Sequence, residues 1–193
     1  MRCRNAALLN NESDNCMKDF KTLVQTRRSV RKFTDKEIDA DDLKVILRAA
    51  LMSPTGKSVR GWHFIVVDDK DMLQRFSEGR AMGSQFLAGA KVAVVVLGDQ
   101  ELSDVWTEDA SIAAVTMQYQ AADLGIGSCW CQVRGRFTKD GEATDSYLRA
   151  LLGYPANLVA ECIVGFGYAD VERKPQNEDG LKWENVHIGA YNE

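Results

Sequence analysis

Four cations and a hydroxyl fall within six positions in Arg27-Arg28-Ser29-Val30-Arg31-Lys32, in a chain whose formal net charge is −4. A guanidinium presents a rigid fork of N–H donors that matches phosphate oxygens two at a time, and the Ser29 hydroxyl adds a neutral donor at short reach. The segment therefore reads as a site for an anion, with a phosphate monoester as the best chemical match. The plainer alternative is that Arg27 and Arg28 close the last turn of a helix, where cations complement the dipole, while Arg31 and Lys32 are solvated.

Three further stretches carry chemistry-bearing residues. Ser53-Pro54-Thr55-Gly56-Lys57-Ser58-Val59-Arg60-Gly61 is small, polar and basic, and its composition suits either a loop that wraps a polar ligand or a plain helix-to-strand connection. Cys129-Trp130-Cys131 places two thiols on one face of an extended segment. One intervening residue does not supply the turn of a CxxC redox site, so packing roles are favoured over a redox pair. Arg173 and Lys174 form a second small cation group ahead of Pro175. No side-chain triad, paired carboxylates or metal cluster is visible.

The rest of the composition bounds the answer. At 193 residues and 45% hydrophobic, the chain fits one domain with a real core. Its mild acidity gives no pull toward nucleic acid or an anionic membrane, which makes the cation cluster local. Apolar runs such as Val92 to Leu97 are far shorter than the roughly 18–20 residues of a membrane helix, and the N-terminus lacks a leader-like apolar region, so a cytoplasmic protein is expected. Five cysteines, unpaired by motif, are expected reduced.

These residues need elements to position them. Residues 1–13 show no sustained period and read as a mobile extension; residues 14–193 form the domain. A first helix carrying Met17, Phe20, Leu23 and Val24, capped by Ser13 or Asp14, delivers the arginine cluster at its C-terminal end. Asp39 to Asp42 opens a second helix with Leu43, Ile46, Leu47, Ala50 and Leu51 on one stripe. Trp62 to Val67 reads as a buried strand, Asp68 to Asp71 opens a third helix, and Val92 to Leu97, apolar on both faces, reads as a mid-sheet strand. Asp99 to Glu108 is a polar crossing that holds Trp106. Asp109 then precedes a long alanine-rich helix to about Leu124 that is central to the core or packed on another helix. Ser128 to Arg134 is a strand, Tyr147 to Leu152 a short helix, and Ala160 to Tyr168 the last core strand, with glycines that permit close backbone approach. The tail from Asn177 has too few apolar residues to fold alone and must dock on something.

The arginine–serine–arginine element, Ser53-Pro54-Thr55 with Ser58 ahead of Trp62-His63-Phe64-Ile65-Val66-Val67, Asp109-Ala110-Ser111-Ile112-Ala113-Ala114 and Leu124-Gly125-Ile126-Gly127-Ser128-Cys129-Trp130 occur in a recognisable order. Over residues 18–190 the chain resembles the FMN-dependent nitroreductase family. The resemblance implies an α+β fold, a small, mostly antiparallel sheet flanked by helices, in an intertwined homodimer with the tail docked on the partner subunit and FMN at the interface. It further implies that Arg27, Ser29 and Arg31, with Arg28 in the same element, contact the flavin phosphate, ribityl chain and ring edge. Pro54, Thr55, Gly56, Lys57 and Ser58 would reach the flavin from the other subunit. Cys129, Trp130 and Cys131 would run along the isoalloxazine ring, and Arg173 and Lys174 would complete the phosphate site. This chain departs from many members in having Ser58 for asparagine and Arg60-Gly61 for Gln-Pro. Gln85 is the candidate for the polar ring contacts that some members place between the first two strands.

The implied activity is transfer of hydride from NADH or NADPH to flavin N5, with a fixed cation, Arg31, facing the charge that develops near N1. A small conjugated electron acceptor, such as a nitroaromatic or quinone, would then be reduced in a ping-pong cycle. Two alternatives stay open: a flavin-binding protein without a reductase cycle, in which Trp130, Trp106 or the tail around Trp183 covers the ring, and a thiol redox protein using Cys129 and Cys131.

Overall fold

The computed structural model of the protein describes residues 19–191. The readings placed on residues 1–18, among them the extension and the Ser13 or Asp14 cap, lie outside the described residues. The first helix, α1 (Phe20–Thr26), has Asp19 as its N-cap, whose carboxylate accepts the Thr22 N–H at 2.9 Å. That bond satisfies one of the donors a helix start leaves open. The same device starts α2 (Ala40–Leu51), where Asp39 accepts from the Asp41 N–H.

The chain continues through β1 (Trp62–Val67), α3 (Lys70–Glu78), β2 (Val92–Asp99), α4 (Trp106–Asp123), β3 (Gly127–Gln132), α5 (Thr144–Leu152) and β4 (Leu158–Gly167). The strands form one sheet in the order β1-β2-β4-β3, every neighbour antiparallel. β2 and β4 are buried along nearly their whole length, as their uninterrupted apolar sequences require. One core layer packs α2 and α4 on Val94, Val96, Val164 and Phe166; the other packs α3 and α5 on Ala93, Val95, Leu97 and Ile163. Among the described residues no helix is long and apolar enough to cross a membrane.

Two expectations are corrected. Trp62–Val67 is not a fully buried strand: it lies at the sheet edge, with His63 and Val66 exposed. An apolar run of six residues does not reveal how many neighbours its backbone will find. The long helix begins at Trp106 instead of after Asp109, because Trp106 packs on the end of β2. A Cβ built on Gly98 would lie 2.5 Å from Trp106 Cε3, so only glycine leaves room for that indole.

At the opposite edge, residues 29–33 run beside β3. Ser29 bridges Ser128 in parallel, the Val30 N–H donates to the Ser128 carbonyl at 2.9 Å, and Phe33 bridges Ala169 beyond the end of β4. The close approach expected of the β4 glycines is present here. A Cβ at Gly167 would meet the Phe33 ring at 2.8 Å, and one at Gly127 would meet Val30 at 2.9 Å. β4 also carries a bulge at Glu161, since Val96 pairs with Cys162 and Leu97 with Ala160.

Candidate functional site

α1 ends at Thr26, so the arginine cluster starts at the helix terminus, as the sequence implies, and continues in extended backbone along the sheet edge. Arg27, Arg28, Ser29, Arg31, Arg173 and Gln176 line one recess of about 300 Å³. No carboxylate lines it, and among the described residues none of its four arginines has an ion-pair partner within 4 Å. Such a concentration of unpaired cations around a hydroxyl fits a phosphate. An adjoining recess of about 310 Å³ shares Arg27, Arg28 and Arg173 and is lined as well by Val30, Ile126, Gly127 and one carboxylate, Glu172.

The four arginines are held differently. Arg27 lies with its guanidinium carbon 5.7 Å from the centre of the Tyr119 ring, on α4. Arg28 donates to the Lys174 carbonyl, and the Gln176 N–H donates to the Gln25 carbonyl at 2.9 Å. These two bonds tie the start of the tail to α1 and bring the Arg173 side chain to the recess. Lys174 enters through its carbonyl, and Arg28 thereby acts as a clasp as well as a wall.

From Ser29 the site extends along β3. Cys129 and Cys131 face the α3 side of the sheet and are buried, while Trp130 faces the α4 side, half-buried against that core. Burial pushes the Cys129 thiol up, against the pull of Arg31, the Ser29 hydroxyl and Arg27. Burial likewise raises the Cys131 thiol, against the pull of Arg80, whose Nη1 lies 3.9 Å from the sulfur. Both groups stay protonated near neutral pH, which suits packing and not thiolate chemistry. The Trp130 indole N–H donates to Gln132 Oε1 at 2.9 Å, and Gln132 Nε2 donates to Glu161 Oε1 at 2.9 Å. Arg134 Nε closes the chain on Glu161 Oε2 at 2.7 Å. The bulge turns the Glu161 carboxylate to this edge, and the network fixes the Trp130 ring.

Pro54, Thr55, Gly56, Lys57 and Ser58 do not join this cluster within one chain. Their loop is pinned at the other end of α4, where the Gly56 N–H donates to the buried Asp109 carboxylate at 2.8 Å. A Cβ at Gly56 would lie 2.5 Å from Val105 Cγ2, which excludes larger residues from this anchor. Asp109 and Tyr119 are ten residues apart, roughly 15 Å of helix at 1.5 Å per residue, so the loop and the arginines mark opposite ends of α4. Lys57, Ser58 and Arg60 all adopt left-handed backbone, with φ of 51°, 57° and 55°. Non-glycine residues held there cost about 1–2 kcal/mol each, a strain common at ligand-binding loops.

The residues that the sequence reading missed are Asp109, Arg80, Gln132 and Glu161. In the sequence Asp109 reads as the residue before a helix and as part of the motif behind the resemblance, but its partner is 53 positions away. Gln85, the candidate for ring contacts, instead accepts the Gly83 N–H through Oε1 at 2.8 Å and lines a separate polar recess with Gln74, Glu78 and Tyr147.

The whole arrangement has counterparts among known proteins. An FMN-dependent nitroreductase from Clostridium difficile R20291 is similar in structure at a TM-score of 0.86 and 45% identity, covering 88% of this chain and 98% of that one. A protein from Bacteroides thetaiotaomicron, provisionally named an NADH dehydrogenase/NAD(P)H nitroreductase, matches at a TM-score of 0.80 and 26% identity over 89% and 97% of the two chains. A similarly named relative from Archaeoglobus fulgidus is 38% identical over 161 residues, 81% of this chain and 89% of that protein. The model of the nitroreductase family spans residues 24–168, from the end of α1 to the residue after β4. With its arginine cluster, edge strand and antiparallel sheet inside that span, the chain belongs to the nitroreductase family.

Proposed function

We propose that the protein is a homodimeric, FMN-dependent NAD(P)H oxidoreductase that reduces a small conjugated acceptor such as a nitroaromatic or quinone. The observation that carries this reading is the carboxylate-free recess of Arg27, Arg28, Ser29, Arg31 and Arg173 at the start of an edge strand. Bound FMN would supply hydride acceptance at N5 and its delivery to the acceptor in a ping-pong cycle. Arg27, Ser29 and Arg173 would hold the phosphate, and Arg31 would face the ring. The names of relatives as FMN-dependent and NAD(P)H-linked support the same cofactors.

The second subunit enters because the loop at Pro54–Ser58 is remote from the arginines of its own chain. A partner would bring that loop, and the donors of Thr55, Lys57 and Ser58, to the flavin. The tail supports the same assembly, with Trp183, Val186 and Ile188 at 69%, 58% and 89% exposure. Deleting residues from Asn177 onward is expected to weaken the dimer, read by sedimentation at a series of concentrations. A truncated protein that remains a dimer and keeps its flavin would count against this role.

Of the three candidate covers of the ring, Trp106 packs on Gly98 and the Trp130 indole N–H is engaged by Gln132, while Trp183 in the tail is 69% exposed. The placement of the first two supports the reductase cycle over a flavin-binding protein without turnover. The test is the visible spectrum of the purified protein, before and after anaerobic NADH and then NADPH. A flavin band that bleaches, and returns with a quinone, is the expected result. A yellow protein that does not bleach would favour the non-reductase reading, and one that takes up no FMN would end both.

A further inference from the structure

The recess that adjoins the candidate phosphate site has a different chemical character. It shares Arg27, Arg28 and Arg173 with the first recess, but much of its remaining wall is apolar, from Val30, Ala122, Ile126 and Val171, and it carries a carboxylate, Glu172. Glu172 makes no ion pair within 4 Å among the described residues, although three arginines line the same recess. Its oxygens are open to hydroxyl donors. A simple anion would be repelled by that carboxylate and would gain nothing from the apolar wall. The ligand that suits all three kinds of surface carries an anionic group, hydroxyl donors and a flat apolar group in one molecule.

The placement of the two recesses decides how such a ligand lies. Arg31 lines the first recess but not the second, and it acts on the Cys129 thiol, within β3. The second recess reaches the other way, to Ala122 near the end of α4 and to Gly125 and Ile126 ahead of β3. With a flavin ring along β3, the flavin phosphate lies between the ring and the second recess. A group joined to that phosphate therefore enters the second recess, which at about 310 Å³ has the size of a small ligand pocket.

We propose that the second recess is a nucleoside subsite and that the protein accepts FAD as well as FMN, with the adenosine half of the dinucleotide seated there. The assignment rests on the flavin-binding reading above. Arg27, Arg28 and Arg173 line both recesses and would hold the two phosphoryl groups, whose free oxygens suit guanidinium forks. Glu172 would accept from the ribose hydroxyls, the contact by which a carboxylate recognises the ribose of a dinucleotide. Adenine would lie on Val30, Ile126 and Val171, and the apolar area it covers would add to affinity.

The test equilibrates the full-length protein with FMN and FAD, singly and in competition. The bound flavin is identified by chromatography, so that hydrolysis of FAD to FMN does not pass for binding. Wild type is expected to bind FAD at least as tightly as FMN. Ala122→Phe fills the recess from α4, and Val171→Asp sets a carboxylate on its wall. Each is expected to lower FAD affinity by roughly tenfold or more while FMN affinity stays within about threefold of wild type. Val171 is 56% exposed, so its replacement tests the recess without disturbing the core. FMN binding without FAD binding would overturn this inference alone, as would FAD affinity equal to wild type in both variants. ADP that binds the FMN-loaded protein where FAD does not bind would give the recess to a free nucleotide and likewise overturn the FAD assignment. A protein that takes up neither flavin would refute the cofactor reading, and the inference with it.

Discussion

Replacing Arg27 with alanine is expected to lower FMN affinity by about 1.5–3 kcal/mol, roughly 10- to 150-fold, the range for a hydrogen bond to a charged group. Arg27 stands at the C-terminus of α1 in a recess shared with Arg28, Ser29, Arg31 and Arg173, and among the described residues no carboxylate lies within ion-pair distance of it. The Tyr119 ring, 5.7 Å from its guanidinium carbon, neighbours it without competing for its donors. The loss should be largely independent of oxidation state, because the phosphate charge does not change on reduction. Titration of both redox states would check that independence. Unchanged flavin retention in Arg27→Ala would remove the phosphate assignment.

Gly167→Ala is expected to lose stability and flavin affinity together. The added Cβ would lie 2.8 Å from the Phe33 ring, inside contact distance, at the point where residues 29–33 dock on the sheet edge. Overpacking of this kind costs about 1–3 kcal/mol, and here the relief available is to push Phe33 outward. That displacement would carry Ser29 and Arg31 with it, since Thr34 N–H to Tyr168 carbonyl and Asp170 N–H to Lys32 carbonyl, at 2.8 and 3.1 Å, hold the same segment. Urea denaturation and FMN titration on one preparation would check both halves. A variant that is destabilised yet binds FMN normally would mean that the docking of Phe33 does not position the anion site.

The two substitutions probe different levels of the molecule. Arg27 acts through its own donors, whereas Gly167 has no side chain and acts only by leaving space for a neighbour. If both outcomes are as expected, the proposed site depends on backbone packing as well as on the cations themselves.

Much of this architecture is local and was legible in the chain. Asp39 opens α2 and Asp69 opens α3, each through a carboxylate that accepts a first-turn N–H, because the capping bond spans two or three residues. The uninterrupted run from Val92 to Leu97 implied a central strand, since only a strand covered on both faces can bury every side chain. The cation cluster was visible because like charges crowded into six positions need a ligand or solvent. The family resemblance rested on that cluster together with the Pro54–Thr55 loop ahead of β1, Asp109–Ala114 and Leu124–Trp130.

The tertiary structure decided what lies across the chain. The Gly56 N–H meets Asp109 over 53 positions, Arg80 meets Cys131 over 51, and Arg28 meets the Lys174 carbonyl over 146. Periodicity reports which face of an element is buried but not which neighbour covers it, so the edge position of β1 and the packing of Trp106 on Gly98 were hidden. The arginines were readable as a candidate anion site because their chemistry is collective and contiguous. The contact of Arg80 with the Cys131 thiol was not, because two residues 51 positions apart meet only once the chain has folded.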